Sequence, residues 1–453
     1  MTLEEQVIFL IAENQQLRIT ISNLEKRITE LEEQLRKAKL SKNSGNSSKP
    51  PSTDMYSPKQ KQSLREPSGK TTGGQFGHKG KTIRVSDSPD ELIELKPDYC
   101  NKCGCSLESV EAQLISKRQV VDIPPVQPLI TEYRNYQRVC PKCGRHQHGS
   151  YPSGVNTHIQ YGANIEAAIA YLSVYQYMPF KRLKECLEHF FNVYISEGSI
   201  ANILERMKSK SLPIYERIKD TISSAHQIGS DETSAKVNGK NWWIWVWQTA
   251  QSTFLSASDN RGSKTINDLF PDGFGHAVLN SDRWAAQLKT VAAAHQLCVA
   301  HLLRDMKYLA QLEKHEWTNR IKDAFKESLK LKAMQSKYNR NNPMALQMEQ
   351  KLDLLLKEEI PKTSYPKTHA LQESLKKQRE SIFTFLYNKD TAPDNNASER
   401  AIRNVKVKQK ISGQFKTGQN NFCVLRSIID TCLKKRVGVM FALSNIAQFA
   451  SAE

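Results

Sequence analysis

The sequence predicts a multidomain α+β chain on three observations: a heptad over the first forty residues, two C-x-x-C pairs downstream of it, and strand-like runs alternating with helical ones after residue 226. Its 453 residues correspond to about three domains, enough to bury several cores without a disulfide framework. Lys and Arg number 65 against 47 Asp and Glu, a formal net charge of +18, which favours a polyanionic partner through counterion release and steering. Glu4 and Glu5 stand where a secretory signal would be basic, so secretion is not expected. The apolar stretch 437–450 is shorter than the ~20 residues of a membrane span and is broken by Ser444, Asn445 and Gln448, so no membrane association is expected either. Nine cysteines are sparse for a disulfide scaffold, and four of them in C-x-x-C pairs suit metal binding in a reducing, cytoplasmic compartment.

Residues 1–40 read as a leucine-zipper coiled coil. Leu3, Leu10, Leu17, Leu24 and Leu31 fall seven apart, and Val7, Asn14, Ile21, Ile28 and Leu35 fill the second seam position. β-Branched residues at one position with Leu at the other favour a parallel pair, and a single Asn in the seam fixes register, so a homodimer or higher oligomer is expected. The alternative is an amphipathic helix packed on its own protein.

Residues 41–90 turn to Ser, Pro, Gly and Lys with no apolar period, which predicts a flexible basic linker able to follow phosphates without reading bases, or else a solvated tether. In 91–155 lie Cys100-x-x-Cys103 and Cys140-x-x-Cys143, each followed by Gly. Four thiolates make a closed tetrahedral site, so Cys100, Cys103, Cys140 and Cys143 are expected to hold a structural Zn²⁺ in a ribbon, with strands over 119–123 and 129–139. Cys105, His146 and His148 are alternative ligands. Residues 156–226 read as helices, one opened by Pro179, with Ser196-Glu-Gly-Ser199 as a spacer; a helix-turn-helix and a plain helical hairpin fit equally.

From 227 the period changes. Asp231 leads a strand, Asn238-Gly239 is a hairpin turn, and the next strand, 241–249, carries four tryptophans. Trp243, Trp245 and Trp247 share one face while Trp242, Ile244 and Val246 share the other, which predicts a strand covered on both sides, its tryptophans packing in the core. A third strand, 253–258, a helix over 264–270 and the apolar run 276–280 follow, the last delivering Ser281-Asp282. Three antiparallel strands, a helix and a strand ending in an acid fit an RNase H-like core, continued by a helix over 284–294, a strand over 296–300 and a helix from Leu302. Residues 227–305 thus form its first part, 306–392 a helical insertion, and 393–453 its last helix and the C-terminal region. Asp394-Asn-Asn caps that helix, which brings Glu399 in as a third carboxylate.

Together these motifs resemble the transposase family of insertion sequence 66, of the DDE type with an RNase H-like catalytic domain. The resemblance runs along the whole chain: the zipper, Asn46-Ser-Ser-Lys-Pro-Pro51, Gly73-Gly-Gln-Phe-Gly-His-Lys-Gly80, both Cys pairs, Ser230-Asp-Glu-Thr233, Ser281-Asp282, Gln296-Leu-Cys-Val-Ala-His301 and Asp394-Asn-Asn-Ala-Ser-Glu-Arg400. It implies that Asp231, Asp282 and Glu399 are the catalytic triad.

Independent chemistry supports that choice, because three carboxylates can hold two Mg²⁺ (or Mn²⁺) ions about 4 Å apart for in-line displacement at phosphorus. The family's pattern is that water frees a 3′-OH at each element end, and that hydroxyl then attacks target DNA, in a nucleoid-associated protein acting with possible helper proteins. Strand alternation places Glu232 opposite Asp231 and outside the cluster. Cys298-x-x-His301 is expected to be a buried thiol beside a hydrogen-bonded His rather than a second zinc site. Arg400, Arg403, Lys406, Lys408 and Lys410 are expected to face DNA, with Lys406 on nearly the same helix face as Glu399. Two other functions fit the same sequence: a zinc-containing DNA-binding dimer that does not cut, and an RNase H-like nuclease without strand transfer.

Overall fold

The computed structural model describes residues 2–40, 77, 80 and 83–449. The predicted basic linker and its Asn46 and Gly73 motifs lie almost wholly outside them. Helix α1 (Leu3–Lys39) has no Gly or Pro to break it and carries i,i+3 pairs, Arg27 with Glu30 at 2.9 Å and Arg36 with Glu33 at 2.5 Å. Its heptad side chains Leu10, Leu17, Leu24 and Leu31, with Val7, Ile21, Ile28 and Leu35, are about half exposed. At its carboxyl end Arg36 ties the helix down, donating to the carbonyls of Gln311 (2.5 Å) and Leu312 (3.0 Å).

The cysteine region has one small hairpin, β1 (Gln137–Val139) against β2 (His146–His148). The strand predicted over 119–123 is absent, and only the last three residues of the one predicted over 129–139 are paired. Val120 and Leu129 are each 93% exposed, so these β-branched and apolar residues have no packed face to hold them against a neighbouring strand.

Helices α2 (Ala163–Ala170), α3 (Phe180–Phe191) and α4 (Glu197–Ser223) follow, with a π-helical turn at Tyr171–Tyr175 between the first two. Pro179 precedes α3 as predicted. The Ser-Glu-Gly-Ser stretch is a cap and first turn rather than a spacer: the Ser196 hydroxyl accepts the Ser199 N–H at 3.0 Å, which satisfies one of the free donors at the start of α4.

Five strands form one mixed sheet: β3 (Gln227–Val237), β4 (Lys240–Gln248), β5 (Thr253–Ser258), β6 (Phe274–Ser281) and β7 (Ala292–Leu297), in the order β5-β4-β3-β6-β7. The first three are antiparallel, and β6 and β7 run parallel to β3. Asn238 and Gly239 at φ 46° and 76° form the predicted turn, conformations that Asn and Gly adopt most readily. Trp245 and Trp247 are fully buried and stacked at 5.8 Å, so they are core residues as predicted. Helix α5 (Ser263–Leu269) precedes β6.

The helix predicted over 284–294 is a single turn, α6 (Ala285–Leu288), and β7 lies four residues upstream of its predicted start. It ends at Leu297 because Cys298 caps α7 (Val299–Leu312), whose first N–H bonds to the Pro393 carbonyl at 2.9 Å.

Helices α8 (Glu316–Met334), α9 (Pro343–Lys357), α10 (Pro366–Lys377) and α11 (Thr384–Tyr387) fill the 306–392 stretch. They share with α7 an apolar cluster around Trp317, Phe325, Phe383 and Phe385, separate from the cluster under the sheet. The chain closes with α12 (Asn396–Ser412), α13 (Gln419–Lys434) and α14 (Val439–Gln448), which pack on the sheet and on α4. Among the described residues no helix is long and apolar enough to cross a membrane.

Candidate active site

Parallel pairing between β3 and β6 ends at Gly229 opposite Asn280. Two residues further along each chain stand Asp231 and Asp282, which places them side by side at the carboxyl end of β6. The third element arrives through Gly229. A Cβ there would meet Gln248 Nε2 at 2.5 Å, Ser398 Oγ at 2.7 Å and Asn395 Oδ1 at 2.9 Å, so only glycine lets the start of α12 press onto β3. Asn395 Nδ2 then donates to the Ser230 carbonyl at 2.7 Å and the Ser398 hydroxyl to Asn395 Oδ1 at 2.6 Å, and Glu399 follows in the next position. Asp394 caps, its carboxylate accepting the Asn396 N–H at 3.1 Å.

Asp231 and Asp282 thus come together, whereas Glu399, whose charge is felt at Asp231, has its oxygen grouped with Cys298 and His301 rather than with the aspartates. Burial pushes the Asp231 carboxyl well above the usual carboxylate range, and the charges of Asp282, Glu232 and Glu399 push it the same way. Glu232 is a correction. Alternation along β3 predicts that it points away, yet Asp231, Glu232 and Asp282 each bring an oxygen within 4.8 Å of the others. Pairing of β3 with β6 stops at Gly229, and Glu232 is drawn into the site by partners on other elements. There its Oε1 accepts from Arg261 Nε at 3.0 Å and Nη2 at 2.8 Å, and its Oε2 accepts from Gln287 Nε2 at 3.1 Å. The Glu232 side chain is 2% exposed, and burial pushes its pKa up to about 7.

Asp282 Oδ1 is buried without a hydrogen-bond partner. An orphaned hard oxygen beside two further carboxylates is a donor set that suits Mg²⁺ or Mn²⁺. Glu399 Oε1 accepts from Arg304 Nη2 at 3.1 Å and lies 3.6 Å from His301 Nδ1. Cys298 joins His301 and Glu399 in a second group whose donor atoms lie within 4.8 Å of one another. Burial pushes the Cys298 thiol up to about 12, and its sulfur accepts the Asn395 N–H at 3.2 Å, as suits a buried thiol. The expected hydrogen-bonded His is not found: His301 Nδ1 is buried with no hydrogen-bond partner. A cavity of about 170 Å³ opens beside Asp282, lined by Arg261, Asp282, Arg283, Trp284 and His301. Sequence reasoning set Glu232 outside the cluster and missed Arg261, Gln287 and Arg304; these three belong to no quoted motif, and each is recruited by packing.

The basic run on α12 divides. Arg400, Arg403 and Lys410 are exposed. Lys406 Nζ instead donates to the Ser234 carbonyl at 2.7 Å and hydroxyl at 3.2 Å, so its ammonium is turned to β3 rather than left free beside Glu399. Lys408 donates to the Ser173 carbonyl at 3.2 Å, and burial pushes its pKa down to about 8.

Both C-x-x-C pairs form knuckles, with Gly104 and Gly144 at φ 74° and 67°. Backbone N–H groups two and three residues on hold the Cys100 and Cys140 thiols below their usual range, as metal-binding thiolates require. Cys100, Cys103 and Cys105 bring their sulfurs within 4.8 Å of one another, whereas Cys140 and Cys143 do not join that group. The two knuckles share no paired strand that would draw them together.

Comparison with known families gives three matches. The sequence profile of the transposase IS66 family matches residues 158–421, that of the zinc-finger binding domain of transposase IS66 matches 97–144, and that of a family of unknown function (DUF6444) matches 5–84. No curated protein matches the chain. The zinc-finger match covers both cysteine pairs and identifies the region as a zinc-binding module. The first match spans more than half of the chain and includes β3, β6 and α12, the elements that gather the acids, so the chain belongs to the IS66 family of transposases.

Proposed function

We propose that the protein is a DDE-type DNA transposase whose catalytic triad is Asp231, Asp282 and Glu399. The observation that carries this reading is the approach of Asp231 on β3 to Asp282 at the end of β6, with a buried carboxylate oxygen on Asp282 left unpaired and the charge of Glu399 on α12 felt at Asp231. The strand order, three antiparallel strands followed by two parallel ones, is what an RNase H-like core over 227–305 and 393–453 requires, with 306–392 as its helical insertion. Asp231, Asp282 and Glu399 would hold Mg²⁺ or Mn²⁺. Bound there, such ions supply a water of lowered pKa and neutralise charge on the leaving oxygen.

Asp231, beyond the last residue of β3 paired with β6, and Asp282, just past the end of β6, present their oxygens to one side of a phosphodiester. Glu399 reaches the same place only by exchanging its Arg304 contact for it. In the first step water attacks phosphorus and the P–O3′ bond breaks, leaving a 3′-OH on the element. That hydroxyl then attacks a target phosphorus and displaces a target 3′-OH. Arg400, Arg403 and Lys410 line the exposed face of α12 for backbone contact. A structural Zn²⁺ on Cys100, Cys103, Cys140 and Cys143 would brace the module at 91–155, and residues 1–40 would pair two copies as a zipper so that two element ends are held together.

The test incubates protein, Mg²⁺ and labelled duplex carrying an element end. Wild type should nick the end and transfer it, and Asp282→Asn should lose cleavage by at least about a thousandfold with DNA affinity retained. Equal cleavage by that variant removes Asp282 from the mechanism; nicked product that never joins target makes the protein a nuclease.

A further inference from the structure

The cavity beside Asp282 has a cationic wall that the triad does not explain. Two arginines line it and each holds a carboxylate, Arg283 that of Asp305 and Arg261 that of Glu232. Arg261 is different. Its guanidinium carbon lies 3.6 Å from the centre of the Trp284 ring and 4.5 Å from that of Trp243, and Trp284 Nε1 donates back to the Arg261 carbonyl at 3.1 Å. Glu232 takes Nε and Nη2, and among the described residues Nη1 has no partner. The side chain is 39% exposed and shares the cavity with Asp282.

A planar cation held by two aromatic rings and one carboxylate has few rotamers left to lose, and Arg261 lines the same cavity as Asp282. Glu232, with both oxygens occupied by Arg261 and Gln287, is accounted for as the group that sets this orientation rather than as a fourth metal ligand.

We propose that Arg261 donates to a non-bridging oxygen of the scissile phosphodiester, opposite the carboxylate side of the cavity, and that Glu232 is its positioning residue. The proposal rests on the DNA-cleavage reading and deepens it, since a phosphodiester gripped on one side by metal-held oxygens carries charge on the other that a fixed guanidinium neutralises.

The test is a cycle of binding measurements on the full-length zinc-loaded protein with Ca²⁺ in place of Mg²⁺. The probes are two duplexes spanning the element-end junction, one all-phosphodiester and one with a neutral methylphosphonate at the scissile position. A third probe carries the methylphosphonate several nucleotides away. For a charge-assisted hydrogen bond, neutralising the scissile phosphate should weaken wild-type binding by roughly tenfold or more. Arg261→Gln should bind the unmodified duplex that much less tightly and lose most of its sensitivity to the scissile replacement, while its sensitivity at the distant position stays at the wild-type value. Glu232→Gln should reduce the scissile sensitivity part of the way. Should Arg261→Gln fail to fold, Arg261→Met, which keeps the alkyl stem between the rings, takes its place in the same cycle. A scissile penalty that is the same in variant and wild type, or absent in wild type, overturns the contact. Cleavage of the unmodified duplex in Mg²⁺ is scored separately: a wild type that never cuts sinks the nuclease chemistry, whereas the fate of the Arg261 contact is read from the binding cycle.

Discussion

Asp231 shows how the site is held under tension by its own charges. Burial first, then Asp282 and Glu232, raise its carboxyl pKa, and Glu232 is pushed up to about 7. A carboxyl whose folded-state pKa is raised contributes stability that is fully present below its unfolded value, about 4, and lost as pH rises through the folded value. Protein free of divalent ions other than its zinc should therefore lose stability between about pH 4 and pH 7 from this cluster, on top of the slope of all other groups. Asp231→Asn should flatten that loss and raise stability at pH 7.5. Added Mg²⁺ should then raise the melting temperature of wild type more than that of the variant. Thermal melts across pH at constant ionic strength check both; a variant no more stable than wild type at pH 7.5 would falsify the like-charge account. Asp231, Asp282 and Glu399 were legible as candidates through the family resemblance and because Asp231 leads a strand, Asp282 follows one and Glu399 lies in the first turn of a helix. Glu232 was set outside the cluster, because local alternation carries no information about Arg261 and Gln287, which hold its side chain from other elements.

At the level of elements, the contact between α12 and β3 decides whether Glu399 reaches the aspartates. Gly229→Ala would drive a methyl group into Gln248, Ser398 and Asn395, the last two on or beside the helix start. Overpacking of this kind costs about 1–3 kcal/mol, and because relief comes from moving α12, cleavage should fall further than stability does. Comparing urea midpoints with single-turnover cleavage separates the two; full activity in a destabilised variant would show that the helix start need not touch β3. The same helix makes a second, opposite point about its lysines. Arg403→Ala and Lys410→Ala should each weaken DNA binding uniformly across sequences and lower the salt slope by roughly one unit. Lys408→Ala should leave that slope unchanged and lower stability, since its ammonium serves the Ser173 carbonyl. Affinity titrations over a range of salt concentrations distinguish them, and an equal slope change for Lys408 would return it to the DNA face. Charge run and helical period were both readable in the sequence. Which of those charges turn inward was not, because Ser173 and Ser234 lie over 170 residues away.

Across the whole molecule, α1 leaves a row of half-exposed Leu, Ile and Val along most of its length, an apolar face that a second copy would cover in register through Asn14. Its anchored end matters as much. Arg36 satisfies carbonyls at the carboxyl end of α7, the helix that begins at Cys298 and carries His301 and Arg304, so pairing through α1 would act on a helix that runs directly from the site. Leu17→Asp with Leu24→Asp should convert the assembly to monomers in sedimentation velocity and reduce joint capture of two labelled ends, while binding to one end persists. An unchanged sedimentation coefficient would move the interface elsewhere.

What the sequence determined by itself is whatever depends on neighbours a few residues apart. The heptad of α1, the glycine-closed cysteine knuckles, the Asn238-Gly239 turn and the two-sided strand with Trp245 and Trp247 all follow from short-range periodicity and backbone preference. The strand expected over 119–123, and all but the last three residues of that expected over 129–139, failed for the complementary reason: pleating needs a covering face, and Val120 and Leu129 have none. Tertiary structure alone decided that Glu232 lies beside Asp282, that Arg261 stands against Trp243 and Trp284, and that Lys406 is bound to Ser234. Each of these contacts joins separate elements whose relative placement is set by close packing of the core, a property of the assembled layers that no short window of residues contains.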